Sequence, residues 1–199
     1  MQRPSYKKVI ESVFEDEQAL LKALVNLHSN EQIELDPMYS KGNFYKEIKR
    51  PKYRFDICPQ RVDCKQADAQ ALPIETNLIS CMILDPPFCF GIHGKVKENI
   101  SAKRFGVLED FRALERLYQG ILKEAFRVLK RGGILIFKCQ DYTDSRTTMT
   151  HCLVYNWAIQ TGFYAKDLAI YVNKHRIYNP KLKQRHLRKV HSYFWVFKK

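Results

Sequence analysis

Ile79-Ser80-Cys81-Met82-Ile83-Leu84-Asp85-Pro86-Pro87-Phe88 reads as an apolar strand that runs straight into an Asp-Pro-Pro-aromatic corner. Two successive prolines fix two φ angles and remove two amide donors, so the corner is stiff and its carbonyls are left free. A carboxylate on one side and a flat ring on the other form a clamp for a planar group that carries an amine. The ordinary alternative is a rigid surface turn with an exposed Asp85. At average residue usage the tetrapeptide is expected in roughly a few chains per thousand of this length. The flanking sequence decides between the two.

Outward from this strand, strands alternate with helices. Apolar residues at helical spacing from Val9 to Leu27 predict an amphipathic helix, or a broken pair, over 6–28. Short strands are expected at about 31–36, over Tyr53–Ile57 and over Asp63–Ala67. Phe111 to Leu129 has the strongest helical pattern, with Gly132-Gly133 expected as its C-cap. A buried strand should follow over Ile134–Lys138, then a helix at 147–161, a strand at 164–172 and a last strand from Tyr193 to Phe197. Such alternation predicts an α/β fold with a mostly parallel, doubly wound sheet.

In a sheet of this class ligands gather at the carboxyl ends of the strands. Asp36, Asp56, Asp68 and Asp85 each fall at or just beyond the end of one of the first four expected strands. One such acid is ordinarily a helix cap or a turn former. Four in succession point to a site.

Composition is consistent with that. The 199 residues, 45% of them hydrophobic, suit a single domain spanning 1–199 with a full-sized core. A formal charge of +13 predicts a polyanionic partner held in a salt-dependent way. No apolar run is long enough to span a membrane and the N-terminus is polar, so no membrane partner and a cytoplasmic location are expected. Cys58, Cys64, Cys81, Cys89, Cys139 and Cys152 lack paired spacing and read as reduced, mostly buried side chains, with no metal site expected.

The corner and its strand resemble the catalytic motif of the S-adenosylmethionine-dependent amino-methyltransferases, Asp/Asn/Ser-Pro-Pro-Tyr/Phe/Trp, which methylate adenine N6 or cytosine N4. The resemblance makes Asp85, Pro86, Pro87 and Phe88 catalytic: the Asp85 carboxylate and the Pro86 carbonyl would accept hydrogen bonds from the amine. Phe88 would stack on a base that must first leave its duplex. Asp36-Pro37-Met38-Tyr39-Ser40-Lys41-Gly42-Asn43 is similar to the family's cofactor loop, commonly Asp-Pro-Phe-x-Gly-x-Gly-Thr. Asp36, Pro37 and Gly42 match. Ser40 replaces the first glycine and lacks its freedom at φ > 0, which leaves the course of the loop open. Asp56 matches the acid that bonds the cofactor ribose, and Asp68 the acid at the cofactor adenine. Asp36, Pro37, Tyr39, Ser40, Gly42, Asp56 and Asp68 are thus the implied binding residues for S-adenosyl-L-methionine. Leu129-Lys130-Arg131-Gly132-Gly133 is similar to the family's turn before the fifth strand. The resemblance implies a Rossmann-like class I methyltransferase fold with an antiparallel C-terminal strand.

Besides the N-terminal helical segment at 1–30, two stretches are candidate nucleic-acid-binding insertions. The first, 89–110, carries Lys95, Lys97, Lys103 and Arg104 after the corner. The second, 173–191, carries Lys174, Arg176, Lys181, Lys183, Arg185 and Arg188, with no acid from Lys174 onward. The expected activity is methylation of an exocyclic amine in DNA, adenine N6 ahead of cytosine N4. The alternatives are an RNA base methyltransferase and a nucleic-acid-binding protein of the same fold without catalysis.

Overall fold

The computed structural model describes residues 9–30, 32–91, 108–143, 146–174 and 184–199. The described chain opens with strand β1 (Val13–Phe14) and helix α1 (Glu17–His28). The helical spacing expected from residue 6 therefore holds only from Glu17. Val13 and Phe14 pair in parallel with Ile170 and Tyr171 instead, because a β-branched and an aromatic residue suit a half-buried sheet edge as well as a helix. The Asp16 carboxylate then starts α1 by accepting the Gln18 N–H at 3.0 Å.

Next come β2 (Leu35–Asp36), β3 (Tyr53–Asp56), β4 (Lys65–Gln66), β5 (Ile79–Leu84), α2 (Phe111–Val128) and β6 (Leu129–Cys139). A two-stranded antiparallel ribbon, β7 (Tyr142–Thr143) and β8 (Thr147–Thr148), takes the start of the helix expected at 147, and α3 runs Thr150–Thr161. β9 (Tyr164–Val172) and β10 (His191–Lys198) complete the chain. The main sheet has eight strands in the order β1-β9-β10-β6-β5-β2-β3-β4. β10 is antiparallel to β6 and β9, and the other pairings are parallel.

Both faces of the sheet are covered, which is why β5 and the Ile134–Phe137 stretch of β6 are almost continuously apolar. Met82, Leu84, Leu135 and Phe137 pack toward α2 and α3. Cys81, Ile83, Ile134 and Ile136 pack toward α1. Leu114, Tyr118, Ile121, Leu122, Ala125 and Val128 make the buried stripe of α2 at helical spacing. Gly132 and Gly133 do not cap this helix, which closes at an extended Leu129 where β6 begins. They serve a bulge: the β5–β6 register moves from Ile79↔Leu129 to Cys81↔Ile134. Gly132 has φ of 80°, and a Cβ on Gly133 would sit 2.8 Å from the Lys130 carbonyl oxygen.

The topology sets one edge of the sheet apart. The carboxyl ends of β2, β3, β4, β5, β6 and β9 all reach it. Val172 pairs with His191 there, so the 173–191 segment leaves and rejoins the sheet on this edge.

Candidate active site

Asp36, Asp56, Asp68 and Asp85 line one cavity of about 500 Å³ at that edge. Its volume lies within the roughly 300–1,000 Å³ of pockets that hold drug-sized ligands. Pro37, Met38, Tyr39, Ser40, Gly42, Ile57, Pro87 and Leu117 also line it.

The 36–45 loop is built around Asp36, the last residue of β2. Its Oδ1 accepts the Met38 N–H at 2.9 Å and its Oδ2 the Tyr45 hydroxyl at 2.7 Å. Only 3% of Asp36 is exposed. Burial pushes its carboxyl up to about 7, against the two hydrogen bonds and with help from the charges of Asp85 and Asp56. The Tyr39 and Tyr45 rings stack with centroids 5.4 Å apart.

Ser40 takes φ of 49°, the left-handed conformation that glycine supplies elsewhere. Its N–H donates to Asp56 Oδ2 at 2.8 Å, a charge-assisted bond that holds it there. Gly42, at φ 72°, cannot be replaced so simply, because a Cβ there would meet the Tyr39 hydroxyl oxygen at 2.6 Å. Asp56 Oδ1 accepts the Cys58 N–H at 2.8 Å, so Asp56 orders the chain on both sides of the cavity.

Asp68 follows β4 by two residues and accepts the Gln70 N–H at 2.8 Å. The loop behind it is fastened to α2 by Glu124, whose Oε1 accepts the Leu72 N–H at 2.7 Å and pairs with Arg127 at 2.6 Å. Those hydrogen bonds hold the Glu124 carboxyl below its usual value despite the opposing effect of burial.

Asp85 is the first residue beyond β5. Its Oδ2 lies 3.3 Å from Lys138 Nζ, near the end of β6, and that ammonium also pairs with Glu17 of α1 at 2.9 Å. Burial raises the Asp85 carboxyl, Lys138 opposes this and Glu17 adds to it. Pro87 lines the cavity, and its carbonyl accepts the buried Tyr118 hydroxyl at 3.2 Å. Pro86 is buried and Phe88 half-buried. Neither is among the residues lining the cavity.

Lys138 and Tyr118 carried no signal of their own in the sequence. Tyr118 did occupy the apolar stripe of α2, where a hydroxyl needs a partner.

Of the residues expected to hold nucleic acid, Lys95, Lys97, Lys103, Arg104, Arg176, Lys181 and Lys183 lie outside the described residues. Lys174, two residues past β9, is exposed and paired with Glu15. Arg185 and Arg188 are exposed on the segment leading into β10.

No family model matches the sequence, and no curated protein matches it. Solved structures resemble it. TrmN from Thermus thermophilus aligns over 92% of this chain and 48% of its own, with a TM-score of 0.55 and 19% identity. A candidate DNA modification methylase, also from Thermus thermophilus, aligns over 74% and 54%, with a TM-score of 0.50 and 17% identity. A SAM-dependent methyltransferase from Methanosarcina mazei aligns over 88% and 96%, with a TM-score of 0.50 and 13% identity. The fold is that of the class I methyltransferases. The chain spans about half the length of the two Thermus proteins, and at these identities the likeness is one of fold.

Proposed function

We propose that the protein is an S-adenosylmethionine-dependent methyltransferase that acts on an exocyclic amine of a base in DNA, adenine N6 ahead of cytosine N4. The observation that carries this reading is the convergence of four strand-end carboxylates on one cavity whose wall includes the proline corner. The donor set fits the cofactor. S-adenosylmethionine carries a sulfonium and an ammonium, and a cavity lined by Asp36, Asp56, Asp68 and Asp85 against Lys41 favours cations.

By the resemblance, Asp56 would hold the ribose hydroxyls and Asp68 the adenine amine, while Asp36 keeps the loop in shape. The bound cofactor supplies an electrophilic methyl group. Asp85 accepts a hydrogen bond from the substrate amine and the Pro86 carbonyl accepts a second. Together they draw the nitrogen's lone pair out of conjugation with the ring. Asp85 also stabilises the positive charge that develops on that nitrogen. The Tyr118 bond to the Pro87 carbonyl keeps the corner from relaxing. No covalent nucleophile is required.

The 173–191 segment rejoins the sheet on the same edge as the cavity, which supports phosphate contact beside the reacting base. The one sequence feature that favours a binder without catalysis is the missing glycine at Ser40. With Ser40 at φ 49°, that replacement leaves the backbone in the conformation a glycine would take. RNA is the second reading, since an Asp-Pro-Pro-aromatic corner serves RNA base methyltransferases too.

Transfer of labelled methyl to DNA and to RNA, followed by nucleoside analysis, separates these. The expected result is N6-methyladenine in DNA that disappears with Asp85→Ala. Label in neither polymer refutes the reading, and label in RNA alone replaces it with the second.

A further inference from the structure

Lys138 sits where four parts of the molecule meet. Its ammonium is 3.3 Å from Asp85 on the corner and 2.9 Å from Glu17 in the first turn of α1. The rings of Phe44, from the 36–45 loop, and Phe194, from β10, stand 4.8 and 5.6 Å from it. Only 18% of the Lys138 side chain is exposed. The same turn of α1 grips the loop: Gln18 Nε2 donates to the Asn43 carbonyl at 3.2 Å and Gln18 Oε1 accepts the Glu47 N–H at 3.3 Å.

The geometry points to Lys138 as the positioning residue of the site: it fixes the direction of the Asp85 carboxylate and sets a positive charge against it, with Glu17 as its rear anchor. This rests on the methyltransferase reading for its purpose, though its electrostatics stand alone. A carboxylate taken out of water beside other acids tends to bind a proton, and a protonated Asp85 accepts an amine hydrogen bond poorly. Lys138 supplies the opposing charge. Bound at Oδ2, it leaves Oδ1 for the amine. Being a cation itself, it takes no proton from the reaction. Burial works against the Lys138 ammonium, but Asp85 and Glu17 more than offset it and raise that group above its ordinary value.

The other titratable groups around the pair are Asp36 on β2, Tyr118 on α2, Cys139 on β6 and Tyr171 on β9. The tyrosines and the cysteine are all pushed upward by burial and stay neutral near pH 7. Asp36 is the neighbour that titrates in range.

The test follows the Asp85 carboxyl carbon by NMR in the unliganded protein from pH 4 to 9, assigned with Asp85→Asn, in Lys138→Met, Lys138→Arg and Glu17→Gln. An opposite charge at this range is worth roughly one to three pH units. Lys138→Met should therefore raise the Asp85 midpoint by about one unit or more, and Lys138→Arg should restore it. Glu17→Gln should lower the midpoint, since it removes a like charge. A lysine that only fills space gives no such opposed pair of shifts. An unmoved midpoint in folded Lys138→Met, or shifts of one sign in both variants, overturns the inference. The acid limb of methyl transfer should follow the NMR midpoints. If the midpoints move as expected while wild type methylates neither DNA nor RNA, the methyltransferase reading fails and the Lys138–Asp85 electrostatics remain.

Discussion

Replacing Asp36 by asparagine should remove the pH dependence of stability that this buried carboxyl imposes. The carboxyl sits at about 7 in the folded protein against 3.8 for a free side chain. A group whose folded value is raised contributes stability in full below the unfolded value and loses it as pH climbs through the folded one. Wild type thus loses that contribution between about pH 4 and pH 8, up to roughly 4 kcal/mol. The asparagine keeps an oxygen for the Met38 N–H and turns its amide toward the Tyr45 oxygen, so the loop bonds survive. For a chain of this size 1 kcal/mol is about 2–4 °C in Tm. Of that lost stability, about 2.7 kcal/mol falls between pH 5 and 8, so thermal melts of both proteins over this window should show the Tm of Asp36→Asn rising relative to wild type by roughly 5–10 °C. Parallel curves would mean that Asp36 stays ionised throughout, and that its burial costs far less than its surroundings imply.

Ser40→Gly should keep stability within about 1 kcal/mol of wild type and retain cofactor affinity by calorimetry, because relief of the left-handed strain offsets the entropy glycine adds. Gly42→Ala should destabilise by roughly 1–3 kcal/mol in chemical denaturation, since it meets both an unfavourable left-handed φ and the Tyr39 ring. Asp85→Ala should abolish transfer with cofactor affinity nearly intact, whereas Asp56→Ala should weaken the cofactor. Identical behaviour of the two would refute this division of labour. Arg185→Glu with Arg188→Glu should flatten the salt dependence of nucleic-acid affinity by about one unit of log–log slope per lost phosphate contact. An unchanged slope would remove these side chains from the binding surface.

The strand-end acids were legible in the sequence because each falls where an expected strand stops, most plainly at Asp85 after the apolar run of β5. What failed did so where one pattern serves two structures. Val9, Ile10, Val13 and Phe14 fit helical spacing, yet Val13 and Phe14 form an edge strand. Gly132-Gly133 fits a helix cap and equally a bulge, since both call for φ > 0. Lys138, Tyr118 and Glu17 were invisible for a different reason: each acts through a partner at least 31 positions away along the chain. Only the packed fold brings those pairs together.

β10 pairs on one side with β6 and on the other with β9. A growing chain that has not yet delivered residues 191–198 therefore holds two separate half-sheets, with β9 and β1 on one and β6 through β4 on the other. The hydrogen-bonding edges of β6 and β9 stay open until then. Closure awaits a late, non-local event, and nascent molecules cut short before Phe194 are the ones most exposed to strand exchange and clumping.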